Sequence, residues 1–304
     1  MVEADLDAAD RVFRLAFGTF VGLPDPMAFA GDSDWVRPRW RAAPDAAFVA
    51  ERDGVLVGSN LASRWGSFGF FGPLSVAPSL WNAGVGRKLL VPVLDCFARW
   101  EVRHAGIFTF AESAKHVTLY RRHGFWPRFL TVVLARDVPA GTPPPDPLSA
   151  VPSGERDAVL AAGRACTGAV FPGLDLTAEI DAVAGQGLGD TVLVRDGERV
   201  GGLALCHLGT GSEAGSDTCY VKFGAVRPGP DAAARFARLL DGVDGLAAAR
   251  GAHTVLAGVN TARRAAWEAL TARGFRTAIQ GVSMSRDGVS GWDEPGSFVL
   301  DDWR

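Results

Sequence analysis

The sequence predicts an α/β (α+β) protein built of two tandem units that share one order of helices and strands. Its 304 residues are about twice a common domain length, so two domains are the favoured count. Landmarks such as Gly124-Phe125 and Gly274-Phe275 recur at a spacing of about 150 residues, which is typical of a duplicated domain. A proline-rich segment at 138–152 separates the two series and predicts an extended, semi-rigid linker. We therefore expect one unit at 1–137 and the other at 153–304.

The composition excludes several classes of protein. Hydrophobic residues make up 48% of the chain and charged residues 21%, as in an ordinary soluble globular protein. The net charge of -3 gives no basic excess, which argues against a nucleic-acid partner. No stretch approaches the roughly 18 apolar residues of a membrane span and the start lacks a signal-peptide pattern, so we expect a cytoplasmic protein with no membrane partner. The four cysteines have neither CxxC nor zinc-site spacing; we expect them reduced and mostly buried, with no bound metal.

Apolar periodicity and turn residues predict the elements of the first half. The Asp53-Gly54 pair predicts a tight hairpin between two strands. Leu90, Val93 and Phe97 keep the spacing of a buried stripe on a long helix, which His104 would end. The predicted helices are 4–17, 32–41, 84–104 and 113–122, and the predicted strands are 46–51, 55–63, 68–76, 107–111 and 130–134.

The second half repeats this order, with its own hairpin turn at Asp196-Gly197. Its predicted strands are 191–195, 199–207, 219–226 and 254–259, and its predicted helices are 231–250 and 261–272. Trp292 and Trp303 follow in the tail, where they are expected either to lie across the interface between the units or to pack at the surface.

The most informative segment for function is 72–125. Gly84 and Gly86 stand where a strand passes into the long helix, and glycines there let the backbone approach a ligand closely. The helix start offers unpaired N–H groups and the positive end of the helix dipole, which suit a phosphate or pyrophosphate. Arg87 and Lys88 add positive charge at that end. Alone, the pattern is also typical of a tight turn before a helix.

The order of elements, the spacing from Gly84 to Gly124 and the closing sequence Leu119-Tyr120-Arg121-Arg122-His123-Gly124-Phe125 together resemble the GNAT superfamily of acyl-CoA-dependent N-acyltransferases. The resemblance covers 1–137 in element order and is specific over 72–125. It implies a mixed, V-shaped central sheet flanked by helices, with acyl-CoA entering where two strands splay apart. The backbone of Leu74 and Val76 would then pair with the pantetheine arm. The N–H groups that would hold the pyrophosphate belong to Asn82, Ala83, Gly84, Val85, Gly86 and Arg87.

The same resemblance points to the residues that carry the chemistry. Tyr120 matches the tyrosine that stands four residues before the closing glycine in many such enzymes, where its phenol protonates the CoA thiolate as a general acid. Since the chain has only two tyrosines, a chance match is less expected here than for a common residue. Packing of Tyr120 against Phe125 in the core is the alternative. Glu112 and His116 are the candidate general bases; a solvated acid at a helix start and a residue on a helix face are the alternatives.

Other positions follow the family pattern less closely. Ser113 stands where the family often has Asn, and predicts a helix N-cap or a contact with CoA. Trp81 departs from the Gln or Arg that usually opens the family's loop, which leaves the backbone cradle intact. By the resemblance, the acceptor side of the cleft includes Asp34, Trp35 and Trp40, with Trp65 and the run 68–71 lining its middle.

The second unit lacks this pattern. Its loop at 226–231 has no G-x-G, Pro228 and Pro230 carry no N–H group, and Leu270 takes the place of Tyr120. We therefore expect one active site, in the first unit, with acetyl-CoA as co-substrate and a primary amine of a small molecule as acceptor. A non-catalytic acyl-CoA-binding sensor or scaffold is the alternative, and a reaction carried by the second unit is a third reading. A homodimer is compatible with the sequence.

Overall fold

The computed structural model describes residues 1–197, 199–286 and 288–304. The first half contains α1 (Leu6–Val21), α2 (Arg37–Ala42), β1 (Ala47–Arg52), β2 (Val55–Trp65), β3 (Phe68–Phe71), β4 (Ser75–Val76), α3 (Val85–Arg99), β5 (His104–Thr109), α4 (Ala114–Arg121) and β6 (Phe125–Asp137). The second half contains α5 (Arg156–Val170), α6 (Thr177–Gly185), β7 (Gly189–Asp196), β8 (Arg199–Gly209), β9 (Gly215–Val226), α7 (Ala232–Ala249), β10 (Thr254–Asn260), α8 (Arg264–Ala272), β11 (Arg276–Arg286) and β12 (Val299–Leu300). The predicted α/β class with a mixed sheet flanked by helices is confirmed.

Three elements differ from the sequence prediction for local reasons. The helix predicted at 32–41 begins only at Arg37, because the Asp34 carboxylate accepts hydrogen bonds from the N–H groups of Val36 and Arg37, both at 2.9 Å. The strand predicted at 68–76 is interrupted at Gly72 and continues as β4. The long helix ends at Arg99, so His104 is not a helix-end residue but the buried first residue of β5.

All twelve strands of the described chain belong to one sheet. The main path runs β1-β2-β3-β5-β11-β6-β10-β9-β8-β7, with β4 on β2 and β12 on β9. One strand of each half therefore lies against the other half: β11 pairs with β5, and β6 pairs with β10, both antiparallel. β6 and β11 also pair with each other. The halves cannot separate without breaking these backbone ladders.

Loops from each half also dock on the other half in matching positions. Ahead of α2, the Asp34 N–H donates to the Ser212 carbonyl oxygen at 2.9 Å. Ahead of α6, the Gly173 carbonyl oxygen accepts from the Ser67 N–H at 2.8 Å. In both cases the loop before the second helix of one half rests on a turn between strands of the other. The contacts therefore repeat with approximate two-fold symmetry.

An aromatic cluster fills the interface between the halves. Trp292 and Trp303 lie across it, which confirms the interface prediction: their ring centroids are 5.0 and 5.1 Å from that of Phe68. His104 belongs to the same cluster and is 1% exposed. Neither of its ring nitrogens has a hydrogen-bond partner among the described residues. Burial in this apolar surrounding lowers the pKa of His104 to about 4.

The proline-rich segment packs along the second half. Leu148 is 3% exposed, and the Asp146 carbonyl oxygen accepts from the Leu193 N–H at 2.8 Å. We keep the bounds 1–137, 138–152 and 153–304 as a proposal about the organisation of the chain. Cys96, Cys166, Cys206 and Cys219 are free and buried, as predicted.

No helix in the described part of the chain is long and apolar enough to cross a membrane. Within the same residues, no group of three or more His, Cys, Asp or Glu side chains is placed to hold a metal ion.

Replacing His104 with leucine should reduce the loss of stability in acid. The unfolded chain takes up this proton near the ordinary pKa of 6.5, whereas the folded chain does so only near 4. The neutral His104 ring therefore contributes its full stabilisation of the folded state above pH 6.5. This contribution falls by about 3 kcal/mol as the pH drops from 6.5 to about 4. Urea unfolding at a series of pH values should show a shallower acid limb for His104→Leu than for the wild type.

The control is His253→Leu, since the His253 side chain is 82% exposed. It should keep the wild-type slope. Equal acid loss in the wild type and His104→Leu would contradict the role given to the buried ring.

Candidate functional site

The sheet of the first half opens where β3 ends. β3 pairs with β5 in parallel from Phe68 to Phe70, but β4 pairs only with β2. The two parts of this broken strand therefore have different neighbours, and β4 diverges from β5. One edge of β4 is left without a strand partner at the place where the resemblance implies an opening.

Backbone groups along this edge are partly free. The Ala77 N–H donates to the Val57 carbonyl oxygen at 2.9 Å, so the N–H and C=O of Val76 point away from β2. No backbone hydrogen bond to or from Leu74 occurs within the described residues. The Val76 carbonyl oxygen accepts from Trp81 Nε1 at 2.8 Å. Leu74 and the Val76 N–H are therefore available to an extended ligand, whereas the Val76 carbonyl is already used.

A run of free N–H groups precedes and begins α3. Asn82 and Gly84 have φ values of 65° and 81°, in the left-handed region that Asn and Gly tolerate best. The N–H groups of Asn82 and of residues 84–87 have no acceptor in the described chain, and no side chain caps the helix. The Ala83 N–H is the exception, since it donates to the Leu80 carbonyl oxygen at 3.2 Å. Five of the six predicted donors are thus free.

Trp81 holds this loop in place through two contacts. Its Nε1 donates to the Val76 carbonyl oxygen, and its ring makes a cation–π contact with Lys115, whose Nζ is 4.2 Å from the ring centroid. Gly86 faces the same opening: a Cβ there would lie 3.5 Å from Leu119 Cδ2, which is an ordinary contact. The protein's own packing therefore does not require glycine at this position.

Tyr120 lies next to the opening, on α4. It is 5% exposed, and its ring meets Phe71 edge-on with centroids 5.7 Å apart. Its hydroxyl makes no hydrogen bond to a described residue. Burial raises the pKa of Tyr120 well above its ordinary value, so the phenol is protonated at neutral pH. The group can donate a proton to a ligand that reaches it.

The candidate bases differ in their surroundings. Glu112 is exposed in the turn between β5 and α4. His116 is half-buried, with its ring centroid 5.1 Å from that of Phe20. Burial, together with the charge of Lys115, lowers the pKa of His116 to about 4, so its ring is neutral at neutral pH. His116 stands four residues before Tyr120 on α4, which puts both on one face of the helix.

Ser113 occupies the N-cap position of α4, but its side chain makes no cap hydrogen bond. The predicted N-cap position is therefore confirmed, although the hydroxyl does not serve as the cap. Its N–H donates to the Phe110 carbonyl oxygen at 3.1 Å, so the backbone alone forms the turn.

Two of the residues predicted for the acceptor side, Trp35 and Trp40, pack against the core under α1. Trp35 also packs against Tyr220 of the second half, with ring centroids 6.2 Å apart. The prediction that aromatic side chains line the middle of the cleft is wrong. The side chains concerned are fully buried in core clusters on the two faces of the sheet. Trp65, Phe68 and Phe70 lie in one cluster and Phe71 in the other.

A buried ionic cluster of Arg39, Glu213 and Lys222 lies next to Gly72 and was not predicted from the sequence. Arg39 donates to both carboxylate oxygens of Glu213, at 2.7 and 2.9 Å, and to the Gly72 carbonyl oxygen at 2.7 Å. Lys222 also donates to Glu213. Although burial would raise it, Arg39 and Lys222 hold the pKa of Glu213 well below its usual range. The sequence signal was Lys222 itself, one of three lysines in the chain, inside the apolar strand β9.

In the second half the corresponding opening is filled by the chain itself. β9 pairs with β10 from Thr218 to Val221, and beyond that point β12 pairs with Gly224 and Ala225. The Val226 N–H donates to the Phe298 carbonyl oxygen at 3.3 Å. With Gly224 aligned on Gly72, residues 298–300 lie where the first half has its free backbone edge.

A buried arginine holds this tail in place. Arg263 is 0% exposed and donates to Asp293 at 3.0 Å, to Asp301 at 2.7 Å and to the Val299 carbonyl oxygen at 2.9 Å. Leu270, at the position that matches Tyr120, is also 0% exposed. In the described part of the chain, residues 298–300 therefore occupy the second opening, and a leucine stands where the first half has Tyr120.

The first half matches a family model, and the whole fold is similar to solved structures. Residues 10–125 match the model of the acetyltransferase (GNAT) family. A putative acetyltransferase from Pyrococcus horikoshii has a TM-score of 0.70 at 13% identity, covering 100% of this chain and 93% of its own. A GCN5-related N-acetyltransferase from Sphaerobacter thermophilus has a TM-score of 0.62 at 18% identity, covering 95% of each chain. A tandem GNAT protein from the clavulanic acid biosynthesis pathway has a TM-score of 0.55 at 16% identity, covering 95% and 97%. Among curated proteins there is no significant match.

Arg263→Met should destabilise the fold strongly, because it leaves Asp293 and Asp301 buried without their cation. The expected loss is about 3–5 kcal/mol in the free energy of unfolding, measured by chemical denaturation. Arg264→Met is the matched control at the next position. Its side chain is 78% exposed and pairs with Glu268, so it should change stability by less than about 1 kcal/mol. Similar losses in the two variants would argue against the buried network as the fastening of the tail.

Proposed function

We propose that the protein is an N-acetyltransferase that uses acetyl-CoA and acts on a primary amine of a small molecule, because residues 10–125 match the model of the acetyltransferase (GNAT) family. The observation that carries this proposal is the run of free N–H groups at Asn82 and residues 84–87, beside the unpaired edge of β4. N–H groups at a helix start suit a pyrophosphate, and a free strand edge suits the amides of an extended pantetheine arm.

Each predicted binding residue has a defined part in this proposal. Leu74 and the Val76 N–H bind the pantetheine arm, and the free N–H groups of 82–87 bind the pyrophosphate, with Arg87 adding charge. Ala83 shapes the loop through its bond to Leu80. The Ser113 hydroxyl, which caps no helix N–H, is free to contact CoA.

The reaction proceeds by direct transfer. The amine nitrogen attacks the thioester carbonyl carbon, a C–N bond forms, the C–S bond breaks, and the sulfur leaves as a thiolate. Tyr120 gives its phenolic proton to that sulfur, because burial keeps the phenol protonated. The same burial disfavours the phenolate, so the proton has to be replaced before the next turnover.

The proton lost by the amine goes to Glu112 or His116, which stay the two candidate bases. Glu112 is exposed and exchanges protons directly with water. His116 offers a neutral ring one helical turn from Tyr120. The second half has no comparable site in this proposal. It completes the sheet and forms one wall of the acceptor side of the cleft.

Tyr120→Phe should lower kcat by about 10²- to 10⁴-fold, because it removes the acid and keeps the buried ring. The Kd for acetyl-CoA should stay within about threefold of wild type, since the backbone supplies the proposed contacts. Thiol release across a library of amines measures the first quantity, and calorimetry the second.

Wild-type turnover rates in Tyr120→Phe would contradict the assignment of Tyr120 as the general acid. If acetyl-CoA binds but no amine supports turnover, the protein is the non-catalytic acyl-CoA-binding sensor or scaffold instead. Failure to bind acetyl-CoA would refute both.

Gly84→Ala and Gly141→Ala form a matched pair for the backbone cradle. Both glycines have positive φ, 81° and 72°, and neither has an atom within 4 Å of an added Cβ. Each substitution should cost about 1 kcal/mol of stability from backbone strain. Only Gly84→Ala should also weaken acetyl-CoA binding, by roughly tenfold, because it shifts the N–H groups at the start of α3. Equal effects on acetyl-CoA binding in both variants would disprove the proposal that the N–H groups at the start of α3 bind the pyrophosphate.

A further inference from the structure

The last residues of the chain cross from the second half to the opening of the first half. Trp303 covers Gly106 on β5 so closely that a Cβ there would lie 2.6 Å from its ring. The main-chain oxygen of Arg304 accepts hydrogen bonds from Arg39 and, at 3.5 Å, from Lys222. Arg39 also donates to the Gly72 carbonyl oxygen, where β4 parts from β5. Arg304 is therefore one side chain away from the point where the strands diverge.

The Arg304 guanidinium lies against two aromatic rings. Its Cζ is 5.5 Å from the ring centroid of Trp35 and 4.8 Å from that of Tyr220. Its Nε is 3.1 Å from the Asp302 carboxylate, which also accepts from the Tyr220 hydroxyl at 2.8 Å. Among the described residues, no carboxylate other than Asp302 pairs with this guanidinium. The two rings and the Asp302 carboxylate together fix the position of the guanidinium.

Arg304 differs from the other cations around Trp35 in its accessibility. Arg39 and Lys222 share Glu213, and their side chains are only 4% and 3% exposed. The Arg304 side chain keeps 16% of its surface exposed. Part of the Arg304 side chain is therefore accessible from outside the interface, whereas the two paired cations are sealed inside it.

We infer that Arg304 binds a carboxylate of the acceptor, so that the second half supplies a specificity-determining residue to the site in the first half. The acceptors are then small amines that also carry a carboxylate, such as amino acids. The inference rests on the proposed function, because it takes the amine to react beside Gly72. Arginine suits this role, since its planar fork pairs with a carboxylate through two parallel hydrogen bonds.

Two pairs of acceptors that differ in one charged group test the inference. They are para-aminomethylbenzoate with its carboxamide and gamma-aminobutyrate with its carboxamide. The wild type should favour each acid roughly tenfold in kcat/KM, as expected for hydrogen bonds to a charged group. Arg304→Gln keeps a polar side chain without the charge, and should bring the ratio close to one by raising KM for the acids. The KM for acetyl-CoA and the kcat for the carboxamides should not change.

Arg264→Gln, at an exposed position on α8, is the control and should keep the wild-type preference. Ligand-observed NMR with the same acids tests binding apart from turnover. Binding that depends on Arg304 without any turnover would uphold the inference and refute the proposed reaction. Turnover without preference for the acids, or an equal loss for acid and carboxamide in Arg304→Gln, would overturn the inference and leave the reaction standing. Neither binding nor turnover would overturn both.

Discussion

The antiparallel pair of β6 and β11 joins the two halves, because each of these strands continues the sheet that the other half began. A hydrophobic contact alone would let the halves shift against each other, whereas backbone ladders set their register. The docked loops and the cluster of Trp292 and Trp303 depend on that register. So does the course of the tail, which passes through the second half and ends beside Gly72 of the first.

The two halves differ at their openings, because the strand edge is free in the first half and paired in the second. In the first half the break at Gly72 leaves a strand edge and a helix start whose backbone groups lack partners, which is costly unless water or a ligand satisfies them. In the second half β12 satisfies the equivalent edge, and Arg263 balances the two buried carboxylates that come with it. Duplication thus produced one opening suited to a ligand and one closed by the protein's own chain.

Burial shifts the pKa values of Tyr120 and His116, both on α4, in opposite directions. It raises the pKa of Tyr120 and lowers the pKa of His116, because in both cases the neutral form is favoured away from water. A neutral phenol can give a proton and a neutral imidazole can take one. Their spacing of one helical turn therefore places a donor and an acceptor of protons on the same side of the helix.

The sequence by itself determined the duplication, the order of elements and the glycine loop before α3. It also determined that the second half has no counterpart of Tyr120 and fewer N–H donors in its loop. These features are local, since hydrophobic periodicity, turn residues and prolines act over a few positions. Only the tertiary structure decided that β6 and β11 exchange places, that His104 is buried in the interface, and that Trp81 takes the Val76 carbonyl. It also decided that Arg39, Glu213, Lys222 and Arg304 meet. Such contacts join residues that are far apart in the chain, and no short pattern records which distant partner satisfies a buried charge or a free strand edge.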